Sequence, residues 1–147
     1  VICSDRGLDD GFLLKVCKHH PPENVVSIIT ALHRKYLHKI DLDGKTALHV
    51  AVANKSSIGV INFLAQQIPE AASLKDCFGR TPLILALENY NKRECNSSHD
   101  YSEKDYISKA CEILCSASPQ CVVDEDADGM SPIEIAIINE VDFSVVK

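Results

Sequence analysis

Apolar residues recur along the chain in short bursts at helical spacing, and each burst follows a polar turn. Leu48, Ala51 and Val52 share one helical face, as do Leu83, Ala86 and Leu87, and then Ile133, Ala136 and Ile137. Each group predicts a short amphipathic helix with a small residue at its centre, where a neighbouring helix can approach closely. Asn54, Asn89 and Asn139 close these helices, since Asn tolerates the left-handed conformation that ends a helix. A longer stripe follows each short one. Ile58, Ile61, Leu64, Ala65 and Ile68 form the first, and Ile107, Ala110, Cys111 and Leu114 the second. Pro69 and Pro119 mark the exits of these longer helices.

The turns before the short helices repeat. "DLDGKTALHVAVAN" starts at Asp41, "DCFGRTPLILALEN" at Asp76 and "DADGMSPIEIAIIN" at Asp126. An Asp bonds nearby backbone amides and a Gly three residues later accepts a positive φ, so each Asp-x-x-Gly predicts a tight turn. Thr46, Thr81 and Ser131 then stand as N-caps, followed by Ala47, Pro82 and Pro132 at the first helical position. Ser131 and Glu134 also make a capping-box pattern.

The glycines Gly44, Gly79 and Gly129 are spaced by 35 and then 50 residues. The longer step contains an extra segment, "YNKRECNSSHDYSEK", residues 90–104, which has no aliphatic residue and is expected in solvent. A weaker copy precedes the three. Leu13 meets Leu48, Val16 meets Ala51 and His19 meets Asn54 at an offset of 35, but the Asp-x-x-Gly turn is lost. Each unit reads as turn, short helix, longer helix and return loop. No unit can bury its stripe alone, so neighbours must stack.

"DLDGKTALHVA" and "DCFGRTPLILA" resemble the ankyrin repeat signature, Asp-x-x-Gly-x-Thr-Pro-Leu-His-x-Ala. The resemblance covers the chain from about residue 12 to its end. It departs from the signature in a period of 35 instead of about 33 residues. The signature His is present only as His49, with Ile84 and Glu134 in the other copies. The resemblance implies an all-α ankyrin-repeat solenoid of stacked helix-turn-helix units with hairpin-like turns. It would hold about four repeats, at 8–40, 41–75, 76–125 with the insert 90–104, and a truncated 126–147, in a single domain over 1–147. It also implies that Thr46 and His49 hydrogen-bond within the repeat framework, so His49 is structural.

Composition narrows the reading. Of 147 residues, 46% are hydrophobic and 5% aromatic, with no Trp, so the core is aliphatic and alanine-rich. A net charge of −6 with no basic run disfavours nucleic acid. No apolar run reaches bilayer length. The chain opens on Val and closes on "FSVVK", which suits a fragment of a longer protein, so the lack of a targeting segment carries no weight. Seven cysteines, several at helical spacing among apolar residues, read as free packing thiols of an intracellular protein, cytoplasmic or nuclear.

Candidate chemistry is thin. Cys111, Cys115 and Cys121 with His99 could be assembled into a zinc set, but Cys111 aligns with the core residue Ile61 and His99 falls in the insert. Cys17, His19 and His20 are neighbours only in sequence, and no phosphate loop, nucleophile elbow or carboxylate pair appears. No catalytic residue, metal or cofactor is expected. Asn54 and Asn96 begin sequon triplets of a kind that arises by chance.

The resemblance implies a protein–protein interaction module, an adaptor or scaffold, whose contacts come from hairpin tips and the exposed side of each first helix. The alternative is a regulatory segment of a larger multidomain enzyme or signalling protein. Carried over by position, the tip residues are Leu42, Asp43 and Lys45, then Cys77, Phe78 and Arg80, then Ala127, Asp128 and Met130. On the helix side they are Ala53, Glu88 and Ile138. Phe78 beside Arg80 is the leading hot-spot candidate, both expected to be dispensable for folding. The expected partner is a protein, with no small-molecule substrate, nucleic acid or membrane, and the chain is expected to be a monomer.

Overall fold

A computed structural model describes residues 12–90 and 101–139, with side chains from residue 105 in the second stretch. Among the described residues the chain is all-helical. The helices are α1 (Phe12–Cys17), α2 (Glu23–Leu32), α3 (Ala47–Ala53), α4 (Ile58–Gln67), α5 (Pro82–Glu88), α6 (Tyr101–Ala117) and α7 (Pro132–Ile138). Short 3-10 turns at Arg34–His38, Pro69–Ser73 and Pro119–Val122 follow the second helix of each pair. The two prolines thus open the exit turns that their positions predict.

The helices form two layers. α1, α3, α5 and α7 pack side by side in one row, and α2, α4 and α6 in the other. A continuous core of Leu, Ile, Val and Ala lies between them, with Ala51, Ala65, Ala86, Ala110 and Ala136 where helices meet closely. The stripes behave as their spacing predicts. Ile61, Leu64, Ile107, Ala110, Cys111 and Leu114 are each buried.

The local grammar of each turn also forms. Gly44, Gly79 and Gly129 adopt φ of 75°, 73° and 78°. Thr46, Thr81 and Ser131 accept hydrogen bonds from the N–H groups of His49, Ile84 and Glu134. Ser131 and Glu134 close the capping box: the Glu134 carboxylate accepts from the Ser131 N–H at 2.8 Å and from its hydroxyl at 2.8 Å. Those bonds hold the Glu134 carboxyl below the usual carboxylate range.

Three expectations are corrected. Asn54, Asn89 and Asn139 are not left-handed, with φ of −95°, −80° and −84°. The positive φ falls on the residue after the first of them, Lys55 at 52°, and on His20 at 51°, 35 positions earlier. The Asn side chains work instead as donors. Asn54 donates to the Val50 carbonyl at 2.8 Å, while Asn89 reaches back to Ala53 at 3.3 Å and Asn139 to Leu87 at 2.9 Å. The last two tie one first helix to the next.

Ile133 and Ile137, expected on a packed face, are 43% and 53% exposed, whereas Ile135 and Ala136 of the same helix are buried. Among the described residues α7 has a first helix on one side only, α5, whereas α5 lies between α3 and α7 and buries Leu83 and Leu87. Tyr90, at the start of the insert, is 8% exposed and joins the core. An aromatic ring can bury apolar area without being aliphatic, which a search for aliphatic residues alone overlooks. Helix α6 begins at Tyr101, inside the insert, and residues 91–100 lie outside the described residues.

Ser56 joins three units. Its hydroxyl donates to the Cys17 carbonyl at 3.3 Å, and its own carbonyl accepts from the Tyr106 hydroxyl at 2.6 Å. Burial pushes the Tyr106 hydroxyl above its ordinary value. Tyr106→Phe keeps the ring and deletes only the bond across repeats. It should lower stability by about 1 kcal/mol in denaturant titration, and no change would show that the bond is idle.

Candidate interaction surface

Each hairpin is built by its own first residue. Oδ1 of Asp41 accepts N–H bonds from Asp43 and Lys45, each at 2.9 Å. Asp76 does the same for Phe78 and Arg80, and Asp126 for Asp128 and Met130, all at 2.9 Å. A backbone bond from the Asp N–H to the carbonyl of Lys45, Arg80 or Met130, at 3.0 Å in each case, closes the loop.

The hairpins stack in register. The Cys77 N–H donates to the Asp43 carbonyl at 2.8 Å, and the Ala127 N–H to the Phe78 carbonyl at 3.1 Å. The same two turn positions pair at both steps, although the second step is longer by the insert. The extra residues therefore do not disturb the row of tips. The Lys75 ammonium also spans this step, donating to the Glu125 carbonyl at 2.8 Å.

Leu42, Asp43, Cys77, Phe78, Ala127 and Asp128 are exposed along this edge, and Lys45, Arg80 and Met130 are half-buried beneath it. Leu42 stands fully clear of the surface and Phe78 is 54% exposed. On the helix side Glu88 and Ile138 are exposed and Ala53 is half-buried. The structure thus sets the named tip positions in one row.

The middle hairpin carries the most organised chemistry. The Arg80 guanidinium lies over the Phe78 ring, 4.8 Å from its centroid. It also pairs with the buried Asp76 carboxylate at 3.0 Å and with Glu88 at 3.2 Å. Burial alone would raise the Asp76 carboxyl, but N–H donors from Arg80 and Phe78 and the guanidinium together hold it below its ordinary range. Desolvation opposes the Arg80 charge too, and the two carboxylates outweigh it.

Arg80 is therefore part of the framework as well as of the surface, which corrects the expectation that it is dispensable for folding. Arg80→Ala leaves Asp76 buried with only backbone donors. It should cost about 2 kcal/mol, read by thermal or denaturant unfolding. The anchoring pair has a local signature in the sequence, Asp76 four residues before Arg80.

His49 behaves as framework. It is fully buried, and its Nδ1 accepts from the Thr46 N–H at 3.2 Å. Nε2 therefore carries the proton and donates to the Arg80 carbonyl in the next hairpin at 3.0 Å. Burial holds this imidazole below its usual pKa, against the pull of the Arg80 carbonyl and the Asp76 charge.

On the second-helix layer, a groove between α4 and α6 is lined by Ile58, Asn62, Gln66, Lys109, Glu112 and Ile113. Sequence reasoning did not single it out, because its walls come from two repeats. Among the described residues no group of three or more His, Cys, Asp or Glu side chains is placed to hold a metal ion. Cys111, Cys115 and Cys121 all lie in the described part, whereas His99 and Cys95 lie outside it. No helix of the described residues is long and apolar enough to cross a membrane.

Two rows of short helices joined by hydrogen-bonded hairpins define a helical repeat solenoid with an exposed line of turn tips. A family model described as ankyrin repeats (3 copies) matches residues 13–97, and the chain belongs to the ankyrin repeat family. The hairpin at Asp126 lies beyond the matched span yet repeats its bonds one for one. A search of curated proteins finds no match. Ankyrin repeats are generally protein–protein interaction modules, and such domains are generally non-catalytic.

Proposed function

We propose that this chain is an adaptor or scaffold module that captures a protein partner along the hairpin tips and the adjoining face of its first helices. It takes residues 1–147 as one repeat domain, acting as a monomer inside the cell. The buried packing role of Cys17, Cys111 and Cys121 supports that setting. The observation that carries the proposal is Phe78. It is a large ring left more than half exposed on a turn whose backbone is fully bonded, with its neighbour Arg80 locked by two carboxylates. A rigid aromatic beside a fixed guanidinium loses little entropy on binding, which is the character of a hot spot. Leu42, on the preceding tip, extends the apolar contact.

Leu42→Ser with Phe78→Ser is the test. Neither side chain supports the core, so the unfolding midpoint should stay within a few degrees of the wild type. Affinity capture from a lysate of the source cells, quantified by mass spectrometry, should show one set of partners depleted at least about tenfold with the variant. Equal recovery with both proteins would remove the tips from the binding surface.

A further inference from the structure

The third hairpin departs from the first two at one position. Four residues after the hairpin Asp stands Lys45 in the first, Arg80 in the second and Met130 in the third. Lys45 pairs with Asp43 at 3.8 Å, and Arg80 with Asp76 at 3.0 Å. The first two turns thus carry a cation of their own. Met130 packs against the core and supplies no charge. Asp126 accepts only backbone N–H groups, and among the described residues no cation pairs with it or with Asp128. The neighbourhood does not make up the difference. Residues 120–139 hold Asp124, Glu125, Asp126, Asp128 and Glu134, and no Lys, Arg or His.

The helix that follows departs as well. Ile133 and Ile137 stand where Leu48 and Val52, then Leu83 and Leu87, are buried, yet both are in contact with solvent. Ile138 stands where the other repeats have Ala53 and Glu88, and it is 65% exposed. Ile137 lies one turn after Ile133, and Ile138 one turn after Glu134, so carboxylate and apolar side chains share the open part of α7. Ser131 donors keep the Glu134 carboxyl low against the nearby Asp126 charge, so both groups are ionised at neutral pH.

We propose that this end of the domain docks a basic amphipathic segment of a protein partner. Its apolar side chains cover Ile133, Ile137 and Ile138, and its Lys or Arg residues supply the cation that Lys45 and Arg80 supply within their own hairpins. This rests on the reading of the tips and first helices as a partner surface, and it names the chemistry required at the third-repeat end. Charge selects the occupant. A nucleic acid or an anionic lipid surface would reach the isoleucines only by bringing phosphates against these carboxylates. A second copy presenting the same face would double the negative charge at the contact. A cationic segment with one apolar face satisfies both features at once, and its affinity should fall as salt screens the carboxylates.

Fluorescence anisotropy with the whole chain and a labelled helical peptide, Leu on one face and Lys on the other, tests this. The Lys peptide should bind, and its counterpart with Glu in place of Lys should not. A scrambled peptide of the same composition, without an apolar face, should bind at least about tenfold more weakly. Glu125→Lys with Asp128→Lys should weaken binding at least about tenfold, and so should Ile137→Ser with Ile138→Ser. All four side chains are exposed, so the unfolding midpoint should move by no more than a few degrees. Should the isoleucine pair lower it further, the charge reversals on the turn decide. Glu70→Lys with Glu112→Lys reverses two exposed carboxylates on the second-helix layer and should leave affinity within about twofold. Failure of the Lys peptide to bind, binding of the Glu peptide, or an equal loss from the Glu70 and Glu112 reversals overturns the assignment. So does a sedimentation coefficient that rises with protein concentration and drops back with the isoleucine variant, which gives the face to a second copy. Leu42→Ser with Phe78→Ser should leave peptide affinity within about twofold. Loss there would place the peptide on the first two hairpins, overturning this end while keeping the tips as a binding surface.

Discussion

Gly79→Ala should lower the unfolding free energy by about 3 kcal/mol, roughly twice the loss from Gly129→Ala. The two glycines hold the same slot in their hairpins, with φ of 73° and 78°. Any L-residue there pays about 1–2 kcal/mol for the left-handed backbone, so strain alone predicts equal costs. The surroundings separate them. A Cβ on Gly79 would lie 2.6 Å from the Ala127 nitrogen and 3.0 Å from the Asp126 carbonyl carbon, both backbone atoms of the next hairpin. No rotamer relieves such a clash. The hairpins must part, and the 3.1 Å bond from Ala127 to the Phe78 carbonyl loosens with them. A Cβ on Gly129 meets nothing within 4 Å. Gly44 falls between, with the Cys77 nitrogen at 3.4 Å, an ordinary contact. Urea titrations of the three alanine variants should rank the losses Gly79, then Gly44, then Gly129. A flat ranking would mean that the tips are not in close contact. Because the clash lies beside Phe78, the Gly79 variant should also lose partner capture, and Gly129→Ala should keep most of it.

The same contrast separates what the sequence could announce from what it could not. The hairpin was legible because its causes are local. Asp76, Gly79 and Thr81 each act on backbone no more than four residues away, and their identities are enough. The two layers were legible too, because a period of apolar residues fixes which face of each helix turns inward. Contacts between repeats were not. The Asn89 amide finds a carbonyl 36 residues back and the Tyr106 hydroxyl one 50 residues back, distances that stacking sets and no motif encodes. Asn was read as a left-handed stop because it often is one, but here its amide is worth more as a donor and the positive φ passes to Lys55. Ile133 and Ile137 show the converse. Periodicity names an apolar face, and only a neighbour decides whether it is covered. At the surface, the turn position made Phe78 and Leu42 readable as exposed. The hold on Arg80 combines Asp76, four residues before it, with Glu88, eight residues after it at the end of the next helix, and only the first of these is a local signal.

His49→Ala should be the other severe substitution, at about 3 kcal/mol, with a pH signature that no packing defect can imitate. The imidazole is fully buried and spans two repeats, accepting from Thr46 and donating to the Arg80 carbonyl. Truncation leaves a cavity, strips the Thr46 N–H of its partner and leaves the Arg80 carbonyl with the Asp76 N–H alone. In the corresponding place of the next repeat Ile84 is equally buried and makes no such bridge, so the loss belongs to the junction that His49 serves. Burial lowers its pKa below the ordinary 6.5, so the folded protein keeps the ring neutral while the unfolded chain takes up a proton. The stabilisation is therefore complete above the unfolded value and declines as pH falls through it towards the lower folded value. The slope cannot exceed about 1.4 kcal/mol per pH unit from this one group. Wild-type stability should decline between pH 7 and pH 5.5 from this source, and His49→Gln, which cannot protonate, should show a flatter profile over the same interval. Parallel profiles for the two proteins would mean that the buried ring takes a proton in the folded state as readily as in the unfolded one. The bridge to Arg80 would then not be made by a neutral imidazole.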